Sequence, residues 1–204
     1  MRCVKWTGEM LIRSYVVRFD GGFAPNPFGG YLTLATCKPR IRKHAQVGDL
    51  VVGTGSTQSV GADRLVYAGI VSQVLSIEEY GALEEFKDKQ PFINKKSWSQ
   101  FGDNIYAKNH GKWTQRANRF HPPEAQDHDL SGENALICER FWYYGRKAIR
   151  IPARFHRVIK SGPGHKIIRD ERFVSRFLDW LHRRPEGRHG YPYLAPTPNS
   201  EPGC

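Results

Sequence analysis

The sequence of 204 residues lacks the features that mark membrane, secreted and zinc-binding proteins. No apolar run approaches the ~18 residues of a membrane-spanning helix, and the first residues, MRCVKWTGEML, lack the apolar centre of a secretory signal. The cysteines stand apart at positions 3, 37, 138 and 204, whereas structural zinc sites use close ligand pairs. We therefore expect a cytoplasmic protein with reduced thiols and no membrane contact.

The sequence also lacks the common motifs of nucleotide-dependent and hydrolytic enzymes. The stretch VVGTGST follows a predicted strand but has neither the Lys of GxxxxGK[ST] nor the third glycine of GxGxxG. A GxSxG nucleophile motif is missing as well. His121 and the DHD triplet at 127–129 form a loose acid–histidine group, but their spacing matches no standard metal loop. We expect no cofactor and no metal.

What the sequence has in excess is positive charge, and the excess is concentrated in one segment. Lys and Arg total 31 against 20 Asp and Glu, which gives a net charge of +11. Residues 146–188 alone carry 13 Lys and Arg against 4 acids. Such a block favours an anionic partner, most simply nucleic acid, through Coulomb attraction and counterion release. The alternative is a solvated basic face that aids solubility.

Hydrophobic periodicity predicts a mixed α+β domain of short elements. An S-x-x-E capping box at Ser76 and Glu79 predicts the start of a helix, and residues 170–184 form an amphipathic helix. GGFAPNPFGG at 21–30 is a turn-rich loop. The predicted architecture is a largely antiparallel curved sheet or small β-barrel with flanking helices. Strands are predicted at SYVVRFD (14–20), LVVGT (50–54), RLVYAGIVSQVL (64–75), ALICERFWYY (135–144) and AIRIP (148–152).

We expect one domain over residues 1–188 and a flexible, proline-rich tail over 189–204. A hydrophobic fraction of 39% is enough for a core. Within the domain, residues about 87–133 are polar and weakly periodic, which predicts an insert. Aromatic residues scattered through the insert argue against disorder and favour a loop shaped for a ligand.

The first candidate ligand contacts lie in the cationic segment KPRIRKHA. In an extended chain, Lys38, Arg40 and Arg42 would point to one side and hold phosphates. Alternatively, Ile41 and Ala45 are spaced for a short helix that packs on the core.

Small residues follow the next predicted strand. Thr54, Gly55 and Ser56 would let a base or phosphate approach the backbone closely. The same residues also suit an ordinary turn between strands.

Two polar loops offer further hydrogen-bonding groups. Asp20 and Asn26 flank a loop stiffened by prolines, where an acid and an amide suit recognition of a base edge. Asp20 equally suits a turn cap. Asn104 and Tyr106 stand among aromatic and cationic residues, the combination that a stacked, phosphate-bearing ligand needs.

Four consecutive aromatic residues occupy positions 141–144. On a strand, Phe141 and Tyr143 face one side of the sheet, and Trp142 and Tyr144 face the other. We expect at least one pair in the core and assign Trp142 and Tyr144 to stacking on a base.

Catalysis would need an ionisable group beside the ligand. Asp20, Asp103 and His165 are the candidates for acid–base chemistry, with Lys38 as a nucleophile or phosphate clamp. No pair of these residues has diagnostic spacing, so catalysis is the alternative to a binding function.

The order of several segments is similar to a known protein family. YVVRFDGGFAPNPFGGYLTLATCKPRIRKHAQVGDLVVGTGS, RLVYAGIVSQVLSIEEY, FGDNIY, RFWYYGRKAIRIP and GPGHKI resemble, in this order, the second family of nucleotide modification associated domains. The resemblance covers roughly residues 12–182. It implies a link to DNA-base modification systems of bacteria and phages, and it carries over no established set of catalytic residues.

A second resemblance is architectural and concerns PUA-like domains, including their EVE and ASCH relatives. The cationic segment, GDLVVGTGS and RLVYAGIVSQV together resemble the A-x-x-G-D-x-V-x-G region of those small barrels. This resemblance implies binding of nucleic acids or modified bases in a cleft, with cations holding phosphates at its rim. The long insert departs from the compact members.

The leading hypothesis is therefore a module that binds nucleic acid, DNA in particular, or a nucleotide, and recognises or helps process modified bases. The alternative is an enzyme of glycosylase or transferase type that acts on a DNA base or nucleotide. A base extruded from the helix would need a snug pocket with an acid or base within reach.

Overall fold

The computed structural model describes residues 10–93 and 98–193, in which short strands dominate. The α-helices are α1 (Pro39–His44), α2 (Ile77–Ala82), α3 (Gln126–Leu130) and α4 (Glu171–His182). Segments of 3-10 helix occupy Glu84–Lys89, which is kinked at Phe86, and Trp98–Phe101, Pro123–Ala125, Gly145–Lys147 and Ala153–Val158. The strands are β1 (Ile12–Val16), β2 (Leu32–Leu34), β3 (Leu50–Thr54), β4 (Arg64–Ile70), β5 (Gln73–Ser76), β6 (Tyr106–Asn109), β7 (Lys112–Gln115), β8 (Asn134–Cys138), β9 (Arg140–Tyr143), β10 (Ile149–Arg150), β11 (His165–Ile168) and β12 (Gly187–Arg188).

The main sheet is open and mixed, with the strand order β11–β1–β3–β4–β9–β12 and with β10 beside the start of β4. Strand β1 is parallel to β3 and β9 is parallel to β12, whereas the other neighbours are antiparallel. Strands β2, β8 and β5 form a second sheet, and β6 pairs with β7. The mixed α/β class is thus confirmed. The barrel alternative is not realised in the described residues, because β11 and β12 remain the edges of the main sheet.

The central strands of the main sheet are buried on both faces. In β3, Leu50 and Val52 join the cluster that packs against α4, while Val51 joins the cluster on the opposite face. The predicted alternation in β9 holds in the same way, because Trp142 and Phe141 lie in different clusters. Burial on both faces explains why these strands are nearly continuous apolar runs.

Helix α4 covers one face of the main sheet and confirms the predicted amphipathic helix. Its first turn is capped by Asp170, whose side chain accepts a hydrogen bond from the backbone N–H of Phe173 at 3.1 Å. Phe177, Trp180 and Leu181 are buried against the sheet. The helix therefore forms because it can bury an apolar face.

The second sheet and the short helices cover the other face. In β8, Leu136 faces the main sheet, while Ala135 and Ile137 face α2 and β6. The predicted capping box starts α2: Ser76 Oγ accepts from the N–H of Glu79 at 3.1 Å, and the Glu79 carboxylate accepts from the N–H of Ser76 at 2.8 Å. These layers leave the carboxylates of the connecting loops inside the protein.

The insert predicted at about 87–133 contributes the β6–β7 hairpin and α3 to this second layer, within the part of it that the structure describes. Residues 189–193, assigned to the tail from sequence, pack on the domain, and Tyr193 donates a hydrogen bond to the carbonyl of Val17 at 2.9 Å. Residues 194–204 lie outside the described part. None of the helices found in residues 10–93 and 98–193 has the length and apolar character needed to cross a bilayer.

A buried ion pair joins the start of β3 to β1. Arg13 Nε lies 2.6 Å from Asp49 Oδ2, and both side chains are almost fully buried. The Asp49 carboxylate also accepts from the backbone N–H groups of Leu11 and Gln46. The Gly-Asp turn before β3 is therefore anchored to the neighbouring strand by its own side chain.

Asp49→Ala should be strongly destabilising, because it leaves the guanidinium of Arg13 buried without its carboxylate. We expect the free energy of unfolding to fall by about 3–5 kcal/mol, as measured by urea denaturation. The matched control is Asp63→Ala, which removes the exposed Asp63–Arg150 pair and should cost about 0–1 kcal/mol. Equal losses in the two variants would show that burial of the pair is unimportant.

Candidate functional site

Among the described residues, three carboxylates besides that of Asp49 are buried in different parts of the core, and each accepts a hydrogen bond from a tyrosine hydroxyl. This arrangement satisfies the carboxylates without water. The predicted residues Asp20, Asp103 and Tyr106 therefore belong to three separate centres. The pairs are Tyr143–Asp20 at 2.7 Å, Tyr80–Asp103 at 2.7 Å and Tyr106–Asp129 at 2.9 Å.

The first centre surrounds Asp20. Its carboxylate accepts from the hydroxyl of Tyr143 and from the backbone N–H of Gly22 at 3.2 Å. Burial raises the pKa of Asp20 to about 6, although both hydrogen bonds act to lower it. Asp20 therefore caps the turn at Gly22, and its pKa lies close to neutral pH.

Tyr15 brings two more predicted residues to this side of the protein. The amino group of Lys38 lies 5.2 Å from the centre of the Tyr15 ring, and Thr54 Oγ1 donates to the carbonyl of Tyr15 at 3.3 Å. Burial, and then the nearby charge of Arg18, lowers the pKa of Lys38. Lys38 is thus a half-buried cation, whereas Thr54 is closed inside the core.

The second centre surrounds Asp103. The carboxylate accepts from Thr33 Oγ1 at 2.8 Å and from the hydroxyl of Tyr80. Burial raises the pKa of Asp103, and the ammonium of Lys89 opposes this shift. Burial in turn lowers the pKa of Lys89 to about 8, and Lys89 Nζ donates to Asn26 Oδ1 at 3.0 Å. Asp103 and Asn26 therefore belong to one buried network.

The two predicted amides hold the backbone in place. Asn26 Nδ2 donates to the carbonyl of Phe101 at 2.8 Å. Asn104 Nδ2 donates to the carbonyls of Tyr80 and Phe86 at 3.0 and 3.1 Å. These side chains fasten the loops and do not present a free edge to solvent.

The side chains of the cationic segment point in different directions, because the segment is helical from Pro39 onward. The helical alternative is the one observed, so Arg40 is exposed while Arg42 is fully buried. Arg42 donates to the carbonyls of Cys37 and Asn134, each at 2.7 Å. Burial lowers the pKa of Arg42 to about 10. Lys38, Arg40 and Arg42 therefore do not point to one side, because that alignment needs the extended alternative.

The small-residue loop after β3 packs on itself. A Cβ on Gly55 would lie 2.3 Å from the carbonyl oxygen of Gly61, so the loop itself requires glycine here. Ser56 Oγ is 2.9 Å from Ser59 Oγ. The loop is therefore closed by its own contacts.

Trp142 and Tyr144 are buried on the face of the main sheet that α4 covers. The indole N–H of Trp142 donates to the carbonyl of Arg184 at 3.1 Å, and the Tyr144 ring stacks on His189 with 5.3 Å between centres. His165 lies far from these rings, on edge strand β11, where burial lowers its pKa and the nearby cations add to the effect. The catalytic candidates Asp20, Asp103 and His165 are thus not brought together.

The third centre joins His121 and Asp129, which the sequence already groups loosely, to Cys37, for which the sequence carries no such signal. His121 Nδ1 lies 2.5 Å from Asp129 Oδ2, and His121 Nε2 lies 3.3 Å from Cys37 Sγ. Cys37 is disulfide-bonded, so the expectation of reduced thiols is wrong for this residue. Cys138 is free and buried, whereas positions 3 and 204 lie outside the described residues.

The side chains of this third centre lie within 4.8 Å of one another through their polar atoms. The imidazole and carboxylate of His121 and Asp129 are bonded to each other, and the sulfur of Cys37 is bonded within a disulfide. The group is therefore a hydrogen-bonded network in the described structure.

A cleft of about 540 Å³ opens where the proline-rich loop meets β9 and β12. Trp98 stands at the cleft with 44% of its surface exposed. Its ring stacks between Phe28 and Tyr191, with centres 4.8 and 4.7 Å away. A volume of this size suits a small ligand. The lining residues are Pro27, Phe28, Gly29, Gly30, Trp98, Glu139, Phe141, Glu186, Gly187 and Arg188.

Charged groups of both signs accompany these rings. The guanidinium of Arg188 lies 4.6 Å from the centre of the Tyr191 ring and 5.6 Å from that of Trp98. Glu139 and Glu186 also line the cleft, and Glu186 is bonded to Arg140 at 2.7 Å. The cleft therefore offers an aromatic surface, carboxylate acceptors and a cation. The aromatic residues of the insert are evident in the sequence, but no local pattern of residues joins them to the end of the basic segment.

The family comparison is decisive for the identity of the domain. The sequence matches nucleotide modification associated domain 2 over residues 10–197. The chain belongs to this family. The resemblance inferred from sequence is confirmed, and family membership suggests a role in a nucleotide modification system. No curated protein and no solved structure matches the chain.

The raised pKa of Asp20 predicts a pH-dependent stability. Because Asp20 has a pKa of about 6 when folded against 3.8 in its ordinary state, the folded protein binds more protons between these values. The contribution of Asp20 to stability therefore falls as the pH rises from 4 to 6. Asp20→Asn has no carboxylate at this position and avoids this loss. The difference in unfolding free energy between this variant and the wild type should therefore shift by about 3 kcal/mol in favour of the variant when the pH is raised from about 4 to about 7.

Urea denaturation of both proteins at the two pH values measures this gain. Asp63→Asn is the control, since it makes the same substitution at a partly exposed carboxylate. A difference between Asp20→Asn and wild type that stays constant with pH would contradict the assignment.

Proposed function

We propose that the chain is a nucleic-acid- or nucleotide-binding module that recognises or helps process modified bases in DNA, in a modification system of bacteria or phages. The observation that carries the proposal is the aromatic cleft beside the end of the basic segment. Family membership supplies the link to nucleotide modification.

The cleft has the chemistry that a flat heterocycle needs. Stacking of a base on an exposed aromatic ring stabilises binding by about 1–3 kcal/mol. Trp98 is itself stacked between Phe28 and Tyr191, so a base would stack on the outer end of this three-ring column, where Tyr191 is 42% exposed. The exposed carboxylate of Glu139 can accept hydrogen bonds from exocyclic amino groups, as acidic side chains do with cytosine. Arg188 adds positive charge beside the rings. Base selectivity would come from these groups.

Affinity would come from the basic segment. Arg150 and Arg157 are paired with Asp63 and Asp170. Arg172 and Arg176 are exposed on α4, and no ion pair to them is found among the described residues. Such unpaired cations are suited to phosphates, whose contacts position a nucleic acid without reading its sequence.

The PUA-like relationship belongs to the same proposal. The β3–β4 hairpin and its glycine-rich connection are its structural support. Among the ligand contacts proposed from sequence, Arg40 is exposed and would meet a phosphate directly, and half-buried Lys38 and Ser56 lie near the surface. The buried members would act by supporting the loops.

The alternative, an enzyme acting on a base or nucleotide, is favoured by one observation. Asp20 has a pKa of about 6, which is in the range useful for general acid–base catalysis near neutral pH. Incubation with modified and unmodified DNA, followed by nucleoside mass analysis, separates the two functions. A nucleoside profile that changes with wild type but not with Asp20→Asn would favour the enzyme.

Trp98→Ala should weaken binding of a fluorescein-labelled single-stranded oligodeoxynucleotide, because the aromatic column that presents the stacking surface loses its central ring. We expect an increase in Kd of about 5- to 150-fold, measured by fluorescence anisotropy. Phe19→Ala removes another exposed aromatic ring, which does not line this cleft, and should leave Kd unchanged. Equal effects of the two changes would sink the assignment of the cleft.

Binding should also weaken steeply with salt, since cations that neutralise phosphates release counterions. The double variant Arg172→Gln, Arg176→Gln should reduce the slope of log K against log salt by up to about 0.7 per cation on single strands. Lys112→Gln, an exposed cation on β7, is the control. Binding that is independent of salt would overturn the electrostatic part of the proposal.

A further inference from the structure

We propose that Cys37, once its disulfide is opened by a low-molecular-weight thiol, is a reactive thiolate with His121 as its proton acceptor and Asp129 as a positioning residue. The partners of such a site are small thiols and disulfides, which exchange with it reversibly. The inference is independent of the aromatic cleft.

The geometry of His121 supports this role. Its Nδ1 lies 2.5 Å from Asp129 Oδ2. Burial acts to raise the pKa of Asp129, but the bond to His121 and the other contacts outweigh it and hold that pKa below its usual value. An ionised carboxylate is an acceptor only, so Nδ1 must carry the proton. Nε2 then faces Cys37 Sγ at 3.3 Å, as in a nucleophile–base–orienter arrangement.

Asp129 is itself held from two sides. Its Oδ1 accepts from the backbone N–H of Cys37 at 2.7 Å, and its Oδ2 accepts from the hydroxyl of Tyr106 at 2.9 Å. These bonds fix the carboxylate, which in turn fixes the imidazole. The same carboxylate thus sets the positions of both the backbone of Cys37 and the ring that faces its sulfur.

Three cations among the described residues lie near Cys37. The side chain of Arg42 donates to the carbonyl of Cys37 at 2.7 Å. Arg18 and Lys38 line a small pocket of about 20 Å³ that also includes Cys37. Cations beside a cysteine favour the thiolate.

The backbone at this position is unusual as well. Cys37 and Lys38 both have positive φ, 53° and 43°, and neither is glycine. Non-glycine residues persist in this region only when their surroundings hold them there, as happens at functional sites.

The chemical step is thiol–disulfide exchange. A thiolate of a dithiol reductant attacks the sulfur bonded to Cys37, the S–S bond breaks, and its electron pair leaves on Cys37 Sγ. The second thiol of the reductant then attacks the mixed disulfide and displaces the protein sulfur as a thiolate. The reductant is thereby oxidised to its cyclic disulfide, and two protein thiols are formed. When the released Cys37 is protonated, the thiol proton passes from Sγ to His121 Nε2. A small disulfide reverses the reaction.

The test measures the pH profile of Cys37 in the folded full-length chain. The protein is reduced with dithiothreitol, freed of reductant, and pulsed with iodoacetamide at pH values from about 5 to 10. Mass spectrometry then follows carbamidomethylation of the Cys37 peptide. We expect the midpoint of the rate profile at least about one pH unit below the ~8.5 of an ordinary thiol. Buried Cys138 should stay unlabelled and so reports that the fold is intact.

His121→Gln should return the midpoint to about 8.5 or above, because the imidazole no longer takes the proton. If labelling of Cys138 shows that this variant does not fold, the wild-type profile decides alone. The proposal is overturned by a wild-type midpoint at or above about 8.5, by a disulfide that resists dithiothreitol in the folded protein, or by a reduced Cys37 that is never labelled. None of these outcomes bears on DNA binding by the cleft.

Discussion

The main sheet is covered on both faces, and this constraint shapes the rest of the structure. With α4 on one side and the second sheet with α1 on the other, the loops that connect these layers run through the interior. Polar side chains on such loops lose contact with water and must find partners inside the protein. The carboxylates of Asp20, Asp103 and Asp129 meet this requirement by accepting from tyrosine hydroxyls, and Asp49 meets it by an ion pair with Arg13.

The same constraint separates supporting residues from those that can meet a ligand. Asn26, Asp103 and Asn104 are drawn into the interior, where they hold backbone groups or one another in place. Several exposed aromatic rings come together where the layers end, at the loop around Phe28 and the strand β12. The cleft therefore lies at the rim of the main sheet, and the buried network holds the loops at that rim in place.

Much of the local structure could be predicted from the sequence. The bounds of β3 and the capping box of α2 were found as predicted, and α4 was found within a residue or two of its predicted limits, because each depends on residues close together in the chain. The helix at Pro39–His44 was one of two alternatives. Neighbouring residues do not decide between them, since burial of Ile41 and Arg42 depends on segments far away in sequence. The candidate site was less predictable, because residue type does not reveal whether a polar side chain faces solvent.

By itself the sequence determined the mixed class of the fold, the concentration of positive charge near the C-terminal end, and membership of the nucleotide modification family. These depend on composition, periodicity and the order of segments along the chain. Only the tertiary structure decided that Tyr143 meets Asp20 across 123 positions and that His121 meets Cys37 across 84. Contacts at such separations arise from how the layers pack, and no local pattern of residues encodes which side chains the packing brings together.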